Sequence, residues 1–319
     1  MIAQPKKDQQ SYVYGPVPSR RLGRSLGVDL VPFKTCSYDC IYCQLGRTTP
    51  KSIDVCVQAP VDVIVEQVRE RLYLAPDIIT LAGSGEPTLF ADLGLLIQRI
   101  KEITCVPVAV ITNGSLLWKP EVRQSLPQAD LVIPSLDAGT APRFQYVNRP
   151  HAEITFEKMV DGLIQFRQEF TGDYWLEVLL LAGVTTVTVE VQALADGIRR
   201  IEPDRIQVNT VARPPCEGFA EAVPAGQLEA IARQLYDKVE VIADFVPSRN
   251  DRGRGSVRAE EILALLERRP CSLQDIVAGL GLHHQAAIKE MTQLTHDGHV
   301  EVKPQNGNLF YALSREQWI

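Results

Sequence analysis

The sequence alternates short apolar runs with amphipathic stretches from about residue 26 to about residue 245, and this alternation constrains the fold most. The runs have the length and composition of strands that are apolar on both faces. They predict strands at 26–31, 77–83, 106–113, 129–136, 174–181 and 204–211. Apolar residues recurring at intervals of three and four predict helices at 61–74, 93–103, 156–170 and 189–201.

Strands separated in this way by helices form parallel βαβ units, so the chain is predicted to be an α/β protein. The sequence lacks the Gly-x-Gly-x-x-Gly turn of a dinucleotide-binding sheet. The six units therefore predict a barrel or partial barrel, whose chemistry lies where the strands end.

The composition changes at 249–258, a run rich in Gly, Arg and Ser that has little to bury. We predict that it links a domain at 1–248 to a second domain at 259–319. The second domain has helical patterns at 259–268, 273–280 and 283–296 and strand patterns at 300–303 and 309–313. Ser272 is expected to cap the middle helix, and Asn306-Gly307 is a hairpin signal. Three helices followed by a hairpin predict a winged helix-turn-helix domain.

Charge and hydropathy narrow the classes of function. The 319 residues carry a net charge of −6, which argues against a protein that coats nucleic acid by bulk charge. Residues 258–319 hold six Lys or Arg against eight Asp or Glu, so duplex DNA is an unsuitable partner for the second domain. That domain is instead expected to recognise a protein or a structured RNA, or to pack on the first domain.

No apolar run approaches the roughly 20 residues that a membrane span needs, and no apolar stretch follows the first lysines as in a secretory signal. We therefore predict a cytoplasmic protein without a membrane partner. The seven cysteines are an odd number, and three of them fall within eight residues. This distribution indicates a reducing compartment and a metal site rather than a disulfide framework.

Cys36, Cys40 and Cys43 follow the first predicted strand with the spacing Cys-x3-Cys-x2-Cys. Thiolates are the soft ligands of iron–sulfur clusters, and such short spacings let one loop wrap a single cluster. Three ligands leave one iron of a cubane open to a small molecule. Zinc is the competing interpretation, although structural zinc sites have four ligands, usually from two Cys-x2-Cys pairs.

The cysteine triad, the strand before it and Tyr42 resemble the radical S-adenosylmethionine (radical SAM) enzymes over about residues 12–245. The resemblance implies a partial (β/α)6 barrel in which the three cysteines hold a [4Fe–4S] cluster. It also implies that the amino and carboxylate groups of SAM chelate the fourth iron. Residues 12–46 are similar to the wyosine-synthase-like branch of tRNA-modifying proteins. Archaeal wyosine synthases carry additional N-terminal cysteines, whereas none precedes Cys36 here, which counts against the pyruvate-condensing wyosine reaction.

Residues 83–89, GSGEPTL, follow the second predicted strand and are similar to the Gly-Gly-Glu-Pro motif that binds the methionyl amine in this family. Glycines let a backbone approach a ligand closely, but an ordinary βα turn would look the same. Polar residues at later strand ends are assigned to SAM by the same resemblance, although Asn113 also suits a turn and Asp137 a helix cap. The residues predicted to bind SAM are Tyr42, Gly83, Ser84, Gly85, Glu86, Pro87, Asn113, Ser135, Asp137, Glu177, Asn209 and Thr210.

A further group of side chains is predicted to reach the substrate. Arginines in this group suit a phosphate or carboxylate, with solvated surface residues as the alternative. The group consists of Arg20, Arg21, Arg24, Arg149 and Cys216. No catalytic residue is predicted beyond the cluster and SAM.

The resemblance implies that a one-electron donor of flavodoxin or ferredoxin type reduces the cluster. SAM is then cleaved to methionine and a 5′-deoxyadenosyl radical, which abstracts hydrogen from a substrate. Two substrate classes remain open for such an enzyme: a tRNA base, or a peptide or protein that is modified or activated. An alternative function of another class is an iron–sulfur-dependent winged-helix transcription regulator.

Overall fold

The computed structural model describes residues 11–19, 21–55, 59–236, 238–242 and 259–314. Within these residues the chain has an α/β fold built on an eight-stranded main sheet, whose strand order follows the sequence. The strands are β1 (Val13–Ser19), β2 (Gly23–Val28), β3 (Ile78–Leu81), β4 (Val108–Thr112), β5 (Leu131–Pro134), β6 (Asp173–Leu180), β7 (Arg205–Thr210) and β8 (Val239–Val241).

Neighbouring strands from β2 to β8 are parallel, whereas β1 pairs with β2 in the antiparallel direction. The six predicted strands are β2 to β7, and the sheet adds a strand at each edge that the apolar pattern does not indicate. β1, with the sequence VYGPVPS, contains two prolines. Proline lacks a ladder donor, but an edge strand tolerates it because one side of the strand has no partner strand. β8 is only three residues long and half-buried or exposed.

The helices pack their apolar faces on this sheet. In the main part of the chain they are α1 (Val61–Arg69), α2 (Leu93–Ile103), α3 (Pro120–Gln124), α4 (Ala141–Val147), α5 (Phe156–Glu169), α6 (Thr188–Ile201) and α7 (Ala225–Leu235). The predicted helix at 61–74 ends at Arg69 and continues as a short 3-10 turn. α3, α4 and α7 were not predicted, and the first two are too short to show a helical period.

Burial on both faces of the strands explains their continuous apolar sequences. All four residues of β3 are buried, and α2 covers the sheet with Leu93, Leu96 and Ile100. Each such side chain contributes about 1.5–3 kcal/mol of transfer free energy, so the sheet–helix core forms a rigid support for the loops at the strand ends. No helix among the described residues is long and apolar enough to cross a membrane.

Residues 259–314 form what we call the C-terminal unit. It contains α8 (Ala259–Arg268), α9 (Leu273–Leu280), α10 (His284–His296) and a three-stranded sheet of β9 (Cys271–Ser272), β10 (Val300–Gln305) and β11 (Asn308–Leu313). Its helices and hairpin match the predicted ones closely, and the unit has its own hydrophobic core. The predicted linker at 249–258 lies outside the described residues.

Local sequence signals account for the elements of the C-terminal unit. Ser272 and Asp275 form a reciprocal capping box at the start of α9, which satisfies two backbone N–H groups that the helix leaves without partners. Gly281 ends α9 in the left-handed conformation. The hairpin turn places Asn306 and Gly307 at positive φ, as the Asn-Gly signal requires.

Among the described residues, the C-terminal unit contacts the main part of the chain at the β1 edge and near the end of β7. At the β1 edge, α9 packs on the strand and the Arg268 guanidinium lies 4.4 Å from the centroid of the Tyr14 ring. Near the end of β7, Asn306 Nδ2 donates to the Val211 carbonyl oxygen over 3.0 Å. The unit therefore spans from the first strand of the main sheet to the loop after the seventh.

Candidate functional site

The three clustered cysteines lie on the loop that follows β2. Cys43 N–H donates to the Cys40 carbonyl over 3.1 Å, which makes a tight turn between these two residues. Cys36 lies in an extended segment, where its carbonyl accepts from Ser52 N–H over 3.0 Å. All three are free thiols. One loop thus presents the three sulfurs, as their short spacing predicts.

Each of the three sulfurs receives a side-chain N–H donor. Asn113 Nδ2 lies 3.5 Å from Cys36 Sγ, and Asn148 Nδ2 lies 3.5 Å from Cys40 Sγ. Lys34 Nζ lies 3.2 Å from Cys43 Sγ. Amide and ammonium donors stabilise negative charge on sulfur, and hydrogen bonds of this kind tune the potential of iron–sulfur clusters.

Burial keeps the thiols of Cys36 and Cys40 protonated in the absence of a metal. It raises the pKa of Cys36 to about 12, with a further contribution from the nearby Glu86 carboxylate. It also raises the pKa of Cys40 well above the ordinary value. A positively charged metal centre offsets this cost by replacing the proton on each sulfur.

The donor set fits a cluster better than a single ion. Among the described residues, no group of three His, Cys, Asp or Glu side chains is arranged to hold one metal ion. In a [4Fe–4S] cluster each thiolate binds a different iron, so the sulfurs need not converge on one point. A structural zinc site takes four ligands, whereas this loop supplies three thiols.

The loop 83–87 at the end of β3 is pressed against the cysteine loop. Glu86 N–H donates to the Thr35 carbonyl over 2.9 Å, and Lys34 N–H donates to the Ser84 carbonyl over 2.7 Å. A Cβ atom added to Gly85 would overlap the Thr35 carbonyl oxygen. Glycine is thus required at 85 because two backbones meet there without room for a side chain.

Ser84 extends this contact to the end of β2. Its N–H lies 3.0 Å from Asp29 Oδ1, and its hydroxyl donates to Asp29 Oδ2 over 2.5 Å. A Cβ atom on Gly83 would overlap the same carboxylate. The serine, which stands where the family motif has glycine, therefore holds β3 against β2 through Asp29.

Glu86 is a buried carboxylate whose oxygens are occupied by protein donors. It accepts from Thr88 N–H over 3.0 Å, from the Thr88 hydroxyl over 2.7 Å and from the Thr112 hydroxyl over 2.5 Å. Its second oxygen accepts from Asn113 N–H over 2.8 Å. Burial raises the pKa of Glu86, and these hydrogen bonds oppose the shift. The carboxylate thereby holds Asn113, the donor to Cys36, in place.

Asp137 follows β5 and connects a second set of elements to the cysteine loop. It accepts from the Tyr42 hydroxyl, from Asn148 Nδ2 over 3.0 Å and from Leu179 N–H over 3.1 Å. Burial raises the pKa of Asp137 to about 6, against the lowering effect of these hydrogen bonds. The helix-cap interpretation of Asp137 is wrong, because Thr140 is the N-cap of α4 and its hydroxyl accepts from the helix backbone.

The remaining predicted SAM residues lie on β6 and β7 or, for Ser135, directly after β5. Glu177 pairs with Arg21 over 3.0 Å and faces Asn209 Nδ2 at 3.4 Å. The Thr210 hydroxyl donates to the Leu180 carbonyl over 2.8 Å. Ser135 lies beside Glu177, to which it is joined by a single parallel bridge.

The predicted substrate residues are not brought together. Arg21 points to Glu177, whereas Arg24 is exposed at the start of β2, the end opposite the cysteine loop. Arg149 pairs with Glu217 over 2.6 Å, next to the half-buried Cys216. Arg20 lies outside the described residues.

A cavity of about 420 Å³ adjoins the cysteine loop. On the side of the main sheet its lining includes Tyr42, Cys43, Glu177, Asn209 and Thr210. Strands β2, β3, β4, β6 and β7 all contribute lining residues, so the main sheet borders this space. The C-terminal unit supplies the opposite side with Arg269 and Asp275.

Sequence reasoning missed several residues of this region. Asp29, Lys34, Arg213, Arg269 and Asp275 were not singled out. A carboxylate inside an apolar strand pattern is costly unless it faces a polar site, and this signal could have marked Asp29 in the predicted strand 26–31. No comparable signal marks Arg269, because its position beside the cavity depends on how the C-terminal unit docks.

Comparison with known families identifies the superfamily of this chain. The model of the Radical SAM superfamily matches residues 30–191, which include the cysteine triad and the loop 83–87. The chain belongs to the radical SAM superfamily. Members of this superfamily use a [4Fe–4S] cluster and SAM and need a reductant, and the chain is accordingly a radical SAM enzyme.

Two relatives match over nearly the whole of both chains. The chain is 32% identical over 313 residues to a UPF0026 protein of Helicobacter pylori strain J99, covering 96% of this chain and 99% of that one. It is 29% identical over 315 residues to the UPF0026 protein MJ1312 of Methanocaldococcus jannaschii, covering 93% and 94%.

A longer relative from Brachyspira hyodysenteriae, described as GTPase Obg, is 41% identical over 307 residues. The match covers 95% of this chain but only 45% of that protein, so the chain spans less than half its length. The given sequence contains no Gly-x4-Gly-Lys-Ser/Thr loop for nucleotide phosphates.

Solved structures support the fold. A radical SAM methyltransferase from Sphaerobacter thermophilus matches with a TM-score of 0.53 and 15% identity, over 69% of this chain and 66% of that one. SuiB of Streptococcus suis bound to S-adenosylmethionine matches with a TM-score of 0.50 and 13% identity, over 69% and 47%.

Proposed function

We propose that Cys36, Cys40 and Cys43 hold the [4Fe–4S] cluster of this enzyme and that its substrate reacts in the adjoining cavity. The observation that carries the proposal is the loop of three free thiols, each with its own N–H donor, of which Cys43 lines the cavity. Bound there, the reduced cluster and SAM supply a 5′-deoxyadenosyl radical that takes a hydrogen atom from the substrate.

In this proposal the residues around the triad act by holding its donors in place. Lys34, Asn113 and Asn148 donate to the three sulfurs. Glu86 fixes Asn113 and Asp137 fixes Asn148 through the hydrogen bonds described above. Rigid donors around the sulfurs favour the negatively charged cluster over the protonated thiols.

The predicted SAM residues divide into two groups by position. Tyr42, Glu177, Asn209 and Thr210 line the cavity, so we assign them to contacts with SAM or with the substrate. The others lie outside this lining, and in the structure they contact the cysteine loop or the strand ends. This second group consists of Gly83, Ser84, Gly85, Glu86, Pro87, Asn113, Ser135 and Asp137.

We further infer that the main part of the chain is the partial (β/α)6 barrel of the superfamily, extended by β1 and β8. The C-terminal unit is inferred to be the winged-helix domain of a chain divided at 249–258. The similarity of residues 12–46 to the wyosine-synthase-like branch makes a tRNA base the substrate class we favour. A flavodoxin- or ferredoxin-type donor and a cytoplasmic location suit free thiols that must stay reduced.

Anaerobic reconstitution with iron and sulfide tests the triad. The wild-type chain is expected to gain the brown absorption of an iron–sulfur cluster and, with dithionite, to convert SAM into 5′-deoxyadenosine. The variant with Cys36, Cys40 and Cys43 all changed to Ala is expected to do neither. Cys105→Ala is the matched control, because this exposed cysteine is remote from the triad in sequence. A triple variant that bound a full cluster and cleaved SAM would refute the assignment.

The substrate class is tested with the same reconstituted enzyme. Addition of unmodified tRNA is expected to increase 5′-deoxyadenosine formation, whereas duplex DNA of equal phosphate content is expected to leave it unchanged. An equal response to both nucleic acids, or to neither, would count against a tRNA base.

A further inference from the structure

The cavity beside Cys43 is closed by two parts of the chain that are distant in sequence. Arg21 and Arg213 reach it from the main part, and Arg269 and Asp275 reach it from the C-terminal unit. Arg213 and Asp275 pair across the junction over 3.5 Å, with side chains only 13% and 14% exposed. The C-terminal unit thus supplies part of the cavity wall.

Positive charge exceeds negative charge among these lining side chains. Arg21 is paired with Glu177 over 3.0 Å, and Arg213 with Asp275. Arg269 makes no ion pair within 4.0 Å with any residue that the structure describes, although it lies in the field of Asp275. A guanidinium stays charged in proteins, and a charge withdrawn from water is costly unless a ligand or a counter-charge compensates for it.

The geometry points to an anion site at this junction: we propose that Arg269, with Arg213 beside it, binds an anionic group of the substrate, either a phosphate or a carboxylate. The guanidinium fork matches both groups with two parallel hydrogen bonds. The C-terminal unit then completes the substrate site, since the main sheet alone lacks Arg269. This inference rests on the proposed function, which places the substrate in the same cavity.

Isothermal titration of the full-length, reconstituted enzyme tests the anion site. Inorganic phosphate and acetate are titrated separately in the presence of saturating SAM, so that the carboxylate of SAM does not compete. We expect at least one of the two anions to bind, and Arg269→Gln to weaken that binding about tenfold. Arg199→Gln is the matched control, because this arginine is exposed on α6 and pairs with Asp196 at the surface.

A charge-conserving variant keeps the test decisive if Arg269→Gln does not fold. Arg269→Lys retains the positive charge but loses the planar fork, so anion binding is expected to fall between those of wild type and Arg269→Gln. Thermal unfolding of all variants shows which of them are folded. Selective loss of phosphate binding identifies a phosphate-bearing substrate, and selective loss of acetate binding a carboxylate-bearing one.

Two results would overturn the inference. One is anion binding that is absent in wild type or unchanged in the Arg269 variants. The other is a loss of SAM affinity as large as the loss of anion affinity, which would assign Arg269 to the cofactor. The proposed function fails separately, through absence of 5′-deoxyadenosine from the wild-type enzyme while Arg269-dependent anion binding persists.

Discussion

Buried carboxylates are held differently at the cysteine loop and at the junction with the C-terminal unit. Asp137, near the cysteines, accepts only from neutral donors, and burial raises its pKa to about 6. At the junction, burial also raises the pKa of Asp275, but Arg213, Arg269 and the hydrogen bonds from Ser272 together outweigh it, so the pKa of Asp275 lies below its ordinary value.

This difference suits the cysteine loop and the junction to two different roles. Neutral hydrogen bonds depend on orientation and fix the cysteine loop in one geometry, independent of charges that enter the cavity. Charges at the junction act over longer distances and respond to a charged ligand. The first region is therefore preorganised, whereas the second is suited to recognition. Changes in each region should have effects of different size and different pH dependence.

The largest effect is expected from Gly85→Ala. The added methyl group would overlap the Thr35 carbonyl and separate the loop 83–87 from the cysteine loop. We expect the free energy of unfolding to fall by about 3 kcal/mol, and the reconstituted protein to lose most of its iron. Denaturant unfolding and iron analysis measure the two quantities.

Gly226→Ala is the matched control for this change. Gly226 lies in α7, and an added Cβ would meet nothing within 4 Å. This variant is expected to keep its iron and to be as stable as wild type or more stable by up to about 1 kcal/mol. Equal stability and iron content in the two alanine variants would contradict the close approach of the loops.

A smaller effect is expected from Glu86→Gln. Glutamine keeps the shape but replaces one acceptor oxygen by an NH2 group that faces donors, so at least one buried donor loses its partner. We expect a loss of about 2 kcal/mol in the free energy of unfolding. Glu229→Gln, on the exposed face of α7, should leave stability unchanged. An unchanged free energy of unfolding in Glu86→Gln would contradict the role of Glu86 in holding the loop.

The smallest effect, and the one with a pH dependence, is expected from Asp275→Asn. Because the folded pKa of Asp275 is below the unfolded value, its stabilisation is present above the unfolded pKa of about 4 and is lost as the pH falls through the folded pKa. Wild type should exceed the variant by about 1 kcal/mol at pH 7, with a smaller difference towards acid pH.

Thermal unfolding of both proteins between about pH 3.5 and pH 7 measures this difference. Asp196→Asn provides the control, since this aspartate is exposed on α6 and makes only a surface ion pair. A wild-type advantage that stayed constant over the whole range would show that the arginines do not shift the titration of Asp275.

Local signals predicted much of the fold. Strands β2 to β7 follow from apolar runs, and α2 was predicted to the residue at both ends. The capping box of Ser272 and the Asn306-Gly307 turn follow from side-chain chemistry within a few residues. β1 and β8 were missed because a strand at a sheet edge is decided by its neighbour, not by its own composition.

The candidate site likewise combines features set by adjacent residues with contacts set by tertiary packing. The sequence alone determined which loop presents the three sulfurs, because the spacing of Cys36, Cys40 and Cys43 is a local property. Only the tertiary structure decided that Asn148 donates to Cys40 and that Arg269 faces the cavity, at a sequence separation of 108 in the first case. Such contacts depend on how separate elements pack, and no pattern of adjacent residues encodes that distance.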